Sequence, residues 1–215
     1  MSEMSTTTDA VHREQNTAPG PLPDRLFGQM PDWNYMLWPK STQVIMSSLF
    51  LALGLIVSLQ VAERLDTIMF GGVAPIWGTI LFTPWLIAAG IFYGLTGGLI
   101  VANINPIVSN LTASSPLAPL FFPANTLYAV TIALFAWYFK TPGEGLRFRE
   151  VFVANAIAGL LNVVPYILYQ TIVLKLPLRV SLGIETIQFV AFILSLGIAY
   201  PFCKKLLEAG VVQVR

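Results

Sequence analysis

Apolar residues in this chain come in long, nearly unbroken runs. The runs cover residues 42–62, 74–93, 95–111, 124–139, 151–174 and 183–203. Each is close to the roughly 20 residues that one helical crossing of a bilayer needs. A membrane β-barrel would instead show alternating segments of about 10 residues separated by polar turns. The pattern predicts six membrane-spanning α-helices. The sequence GLTGG at 94–98 lies between the second and third runs and predicts a tight hairpin there. Pro84 is expected to kink the second span. Residues 112–123 hold Pro116, Pro119 and Pro123 and read as a loop or re-entrant segment. Glu63, Arg64 and Asp66 read as the polar end of the first span. Residues 140–150 and 175–182 read as loops.

Composition strengthens this reading. Of 215 residues, 55% are apolar and 11% charged, against about 25% charged in an ordinary soluble domain. Residues 67–139 contain no Asp, Glu, Lys, Arg or His at all. The remaining cations set a direction. With six spans, nine Lys and Arg fall on one side: Arg13, Arg25, Lys40, Lys140, Arg147, Arg149, Lys204, Lys205 and Arg215. Arg64, Lys175 and Arg179 fall on the other. The positive-inside bias then puts both termini in the cytoplasm. The expected architecture is an all-α membrane protein, a six-transmembrane-helix bundle with both termini cytoplasmic, in the plasma membrane. Residues 1–40 are expected to form a flexible cytoplasmic tail that ends in an interfacial aromatic segment around Trp33, Tyr35 and Trp38. It lacks the apolar core of a cleaved signal peptide. Residues 41–210 form the membrane domain, and 211–215 a short tail.

Candidate chemistry is sparse. The one histidine, His12, lies in the tail, and no Cys/His cluster has metal-ligand spacing. There is no HExxH or GxSxG motif and no phosphate-cradling GxxxxGK[ST] loop. Neither enzyme activity nor a cofactor is expected, and uphill transport needs an outside energy source. The single cysteine, Cys203, reads as packing. Glu185 is the one ionisable residue inside a span, where a solvated loop role competes with a ligand contact. Neutral polar residues are more numerous in the outer half: Asn103, Asn105, Asn110, Asn125, Tyr128, Asn162, Tyr166, Tyr169, Gln170 and Gln188. Buried amides need partners, which neighbouring helices or a ligand supply. Trp77 and Trp85 are candidate apolar walls, set against interfacial and lipid-facing roles. Gly90, Gly94 and Gly98, and Ser48 with Ala52, are small-residue ridges suited to helix packing or to a membrane partner.

The hairpin GIFYGLTGGLIVANINPIVSN, the outer loop SSPLAPLFFPAN and the ending IAYPFCKKLLEAG complete a layout that resembles the substrate-binding S components of energy-coupling factor (ECF) transporters. The resemblance covers residues 41–210. It implies a small bundle that captures one vitamin or micronutrient from outside and associates with a transmembrane T component and two cytoplasmic ATPase subunits. It implies a ligand pocket in the outer half. The matching positions are Asn125, Tyr128, Asn162, Tyr166, Tyr169, Gln170, Glu185 and Gln188. Where the family often carries an Ala-x-x-x-Ala pair for docking the T component, this chain has Ser48 and Ala52. The long N-terminal tail is a further departure.

Two other readings compete. A stand-alone secondary carrier needs internal repeats or a central polar path, and the halves show no repeat. A non-transport membrane scaffold fits the small-residue ridges equally well.

Overall fold

The computed structural model describes residues 35–72, 74–113, 115, 117–140, 146–210 and 212. Most of the expected N-terminal tail, with His12, Arg13, Arg25 and Trp33, lies outside these residues, as do Arg215 and nearly all of the short C-terminal tail. The chain order is α1 (Thr42–Phe70), α2 (Ile76–Thr112), α3 (Ala118–Phe139), α4 (Phe148–Ile172) and α5 (Leu178–Glu208). All five are long and apolar enough to cross a membrane, which makes the chain an all-α, multi-pass membrane protein. Large apolar side chains such as Phe50, Val57, Leu160 and Leu194 stay on the outside, as a lipid solvent permits.

The six expected runs appear as five helices because two of them join. A straight helix of 37 residues would be about 55 Å long, well beyond the hydrocarbon core of about 30 Å. It folds back instead at one residue. Gly94 has φ 59° and ψ −150°, outside the helical region. A Cβ built on Gly98 would lie 3.7 Å from the Cα of Gly90. In a straight helix these positions would be about 12 Å apart. The two arms, 76–93 and 95–112, therefore form a hairpin. The turn is Gly94 alone. Gly97 and Gly98, expected to share it, are helical and pack inside the bundle.

The segment before α1 is seated on this hairpin. Leu95 N donates to Leu37 O at 2.8 Å, and the Thr96 hydroxyl donates to Pro39 O. The buried Tyr35 hydroxyl donates to Gly90 O at 2.8 Å. Burial raises its pKa above the usual phenol value, which keeps it a neutral donor. Tyr35, Leu37 and Pro39, at the end of the expected tail, thus belong to an ordered segment.

Helix α1 runs eight residues past its expected end. Ser41 caps it by accepting from Val44 N at 3.2 Å, and Gly71 closes it in the left-handed conformation. Its buried positions, Ser48, Leu51, Leu55, Leu59, Ala62, Glu63 and Asp66, follow helical spacing. The two carboxylates extend the inward stripe rather than ending the span. Asp66 has a local task. Pro75 starts α2 with no side-chain cap of its own. The Asp66 carboxylate accepts from Trp77 N and Gly78 N, both at 2.8 Å, which satisfies two orphan donors and complements the helix dipole.

Helix α3 begins at Ala118, so the second half of the proline-rich stretch read as a loop, residues 118–123, is helical. Pro119 sits where its missing N–H costs nothing. Helix α5 likewise starts at Leu178 and carries Lys204 and Lys205 within it. α2 lies at the centre, packed on α1, α3 and α5, and α4 packs on α3 and α5. Ser48 and Ala52, expected on a docking face, are fully buried. A Cβ on Gly97 would meet the Ser48 hydroxyl at 3.0 Å, so this pair is covered by the chain's own hairpin.

Alternating helix directions give the bundle two ends. One holds the Gly94 turn. The other, the Asp66 end, holds the α1–α2, α2–α3 and α4–α5 connections.

Candidate functional site

A cavity lies in the half of the bundle toward the Asp66 end. Its volume open to the centre of a water molecule is about 30 Å³, room for about two waters. Every helix contributes to the wall. Leu59 and Glu63 come from α1, and Pro75, Gly78, Thr79, Phe82 and Asn105 from α2 and its entry. Phe121 and Asn125 come from α3, Asn162 and Tyr166 from α4, and Gln188 and Phe192 from α5. An apolar wall with a few convergent polar groups is the usual composition of a small-molecule site.

Glu63 is the residue that sequence reasoning missed. Its side chain is 3% exposed. Ser109 Oγ lies 2.8 and 2.9 Å from the two carboxylate oxygens, and Asn105 Nδ2 donates to one of them at 3.2 Å. A buried carboxylate persists when hydrogen bonds replace its water. The signal was present in the sequence: Glu63 falls four residues after Leu59 on the inward stripe.

Of the eight residues expected to bind ligand, four line the cavity: Asn125, Asn162, Tyr166 and Gln188. Asn125 also braces the wall, its Nδ2 donating to Ala102 O at 3.2 Å. Asn162 and Gln188 face each other, with Gln188 Nε2 at 3.4 Å from Asn162 Oδ1. Asn162 Nδ2 and Gln188 Oε1 are buried and have no partner among the described residues. Native interiors leave few such atoms.

The other four lie elsewhere. Tyr128 is fully buried, stacks on Phe192 at 5.2 Å between ring centres, and donates to Asn155 Oδ1. Asn155 Nδ2 donates in turn to Phe192 O at 2.8 Å, so this group ties α3, α4 and α5 together. Tyr169 packs at the edge of a small apolar cluster formed by Leu117, Ala118, Phe121, Ala124 and Tyr166. Gln170 and Glu185 pair beyond the cavity, toward the Asp66 end. Gln170 Nε2 donates to Glu185 Oε1 at 2.7 Å, and Glu185 Oε2 has no partner among the described residues. Glu185 is buried, which excludes its reading as a solvated loop carboxylate.

Other polar residues are spent on structure. Asn103 and Asn110 each donate to the carbonyl one turn back. Trp77 and Trp85 do not line the cavity. Trp77 is partly exposed beside Met69, and Trp85 packs edge-on against Phe202 at 4.7 Å. The aromatic walls are Phe82, Phe121, Tyr166 and Phe192. Among the described residues no group of three or more His, Cys, Asp or Glu is placed to hold a metal ion.

Compared against known family models, curated proteins and solved structures, the chain matches none of them.

Proposed function

We propose that this chain is the membrane-embedded substrate-capture subunit of an ATP-driven importer of a vitamin or similar micronutrient. It crosses the membrane six times, with the two arms of α2 as separate crossings. Both termini lie in the cytoplasm, and the Asp66 end faces outward, as the nine-to-three division of Lys and Arg supports. It binds and does not hydrolyse. A transmembrane T component and two cytoplasmic ATPase subunits supply the energy, as the layout shared with ECF S components suggests. The plasma membrane is the site of action.

One observation carries this reading. The cavity sits in the proposed outward half, and two residues of its wall, Asn162 and Gln188, carry a buried amide donor and a buried amide acceptor with no partner among the described residues. Polar atoms left over in a membrane bundle cost free energy unless something else pairs them. A captured ligand does so. At about 30 Å³ the cavity has only water-sized room, so capture widens it. Glu63, Asp66 and Glu185 are all inside the bundle. Each accepts at least one hydrogen bond, and all three stand in the Asp66-end half.

Purification of the chain from its native membranes, with and without crosslinking, tests the proposal. Co-purification of ATPase subunits together with a stoichiometric small molecule is expected. Concentrative uptake by the chain alone in ATP-free vesicles would show a secondary carrier instead. A stable protein complex with no ligand would show a scaffold.

A further inference from the structure

We infer that the ligand is recognised through a cis-amide edge, an N–H and a C=O side by side as in a lactam, cyclic imide or ureido ring, held by Asn162 and Gln188. This rests on the capture reading above and names its substrate class.

Two polar atoms of the wall residues have no partner among the described residues. Asn162 Nδ2 is a donor and Gln188 Oε1 an acceptor, and both residues are at most 2% exposed. The other halves of the same two amides touch each other at 3.4 Å. Each orphan atom shares its amide carbon with an atom of that contact, so the two belong to one patch of wall. Reversing both amides leaves the count unchanged, with Asn162 Oδ1 and Gln188 Nε2 as the orphans. One donor and one acceptor in that patch reject the simplest alternatives. An oxyanion offers only acceptors and an ammonium only donors, and either leaves one wall atom unmatched. A hydrocarbon leaves both. A ligand carbonyl accepting from Asn162 Nδ2, with its neighbouring N–H donating to Gln188 Oε1, satisfies both at once.

The rest of the wall narrows the class. Phe82, Phe121, Tyr166 and Phe192 line the same cavity, and aromatic walls favour a flat ring. The Glu63 carboxylate in the wall disfavours an anionic ligand, and among the described residues no Lys, Arg or His lines the cavity to offset it. The ligand is thus a neutral or cationic flat heterocycle with a lactam-type edge.

The test uses the full chain in lipid nanodiscs with two probes, 2-pyridone and N-methyl-2-pyridone, which differ in the ring N–H. Saturation-transfer NMR titrations read binding. The expected result is that methylation weakens binding by about tenfold or more, the usual scale for one buried hydrogen bond left unmade. Asn162→Leu and Gln188→Met should each abolish that preference, with thermal unfolding used to verify that the variants fold. Equal binding of both probes, or binding of neither up to their solubility limits, overturns the inference and leaves the cavity to water. A preference that survives in both variants overturns the assignment to these residues. Failure of the capture reading looks different: the pyridone preference would persist while no ATPase subunits co-purify. A co-purified ligand without an N–H/C=O edge would sink the lactam assignment and leave capture standing.

Discussion

Replacing Gly94 by alanine should destabilise the bundle through both backbone conformation and steric contact. The residue has φ 59° and ψ −150°, a region that side chains of L-residues enter at a cost of roughly 1–3 kcal/mol. The new Cβ would also stand 2.6 Å from Leu37 O and 2.8 Å from Met36 O, inside normal contact. Relief requires the 36–37 segment to withdraw. That breaks the Leu95 N to Leu37 O bond, worth about 1 kcal/mol net. The sum is a loss of about 2–4 kcal/mol. Gly197→Ala is the matched control. It lies within α5 with nothing within 4 Å of its added Cβ, and should gain about 0.5–1 kcal/mol from the lower backbone entropy of alanine. Equilibrium unfolding in mixed detergent micelles, followed by helical circular dichroism, measures both. Equal stability of the two variants would refute the reasoning, because the hairpin would then not depend on a left-handed residue seated under the N-terminal segment.

Other predictions address the ends, the centre and the site. Asp66→Ala should cost about 1–2 kcal/mol in the same unfolding assay, since the Trp77 and Gly78 amides lose their cap. Tyr128→Phe should cost about 1 kcal/mol by leaving Asn155 Oδ1 without its hydroxyl donor, and should leave ligand affinity nearly unchanged because Tyr128 is not in the cavity wall. Asn162→Ala and Tyr166→Ala should each weaken binding of the co-purifying ligand by roughly tenfold or more, read by isothermal titration. Unchanged affinity in both would remove them from the site. In a Cys203→Ser background, Lys175→Cys should react with a membrane-impermeant maleimide added to intact cells, and Lys140→Cys should react only after lysis. The reverse pattern would invert the topology.

The spans were legible because twenty apolar residues in a row have few soluble uses, and the run boundaries fell near the helix ends where the flanks were turn-forming. The errors have a common cause. Charge was read as an exit from the membrane at Glu63 and Asp66, and proline as a loop at Pro119. In fact one carboxylate is paired by Ser109 and Asn105, the other caps α2, and the proline occupies a first turn. These are tertiary facts that a local reading does not carry. The helical spacing from Leu59 to Glu63 and Asp66 did contain the hint. The polar half of the bundle was visible as a concentration of Asn, Gln and Tyr. Which of them face a cavity was not. Tyr128 and Asn162 look alike on paper, yet one finds its partner in Asn155 and the other keeps a bare amide nitrogen. Only the packing of α3, α4 and α5 decides that.

The central claim is that this bundle holds one small molecule in its Asp66-end half. A native mass spectrum of the chain released from its own membranes tests it most directly. The account predicts a one-to-one adduct of a nitrogen heterocycle that is retained in Tyr128→Phe and lost or sharply reduced in Asn162→Ala. A spectrum showing only the bare chain, from cells grown with full micronutrient supply, would contradict it.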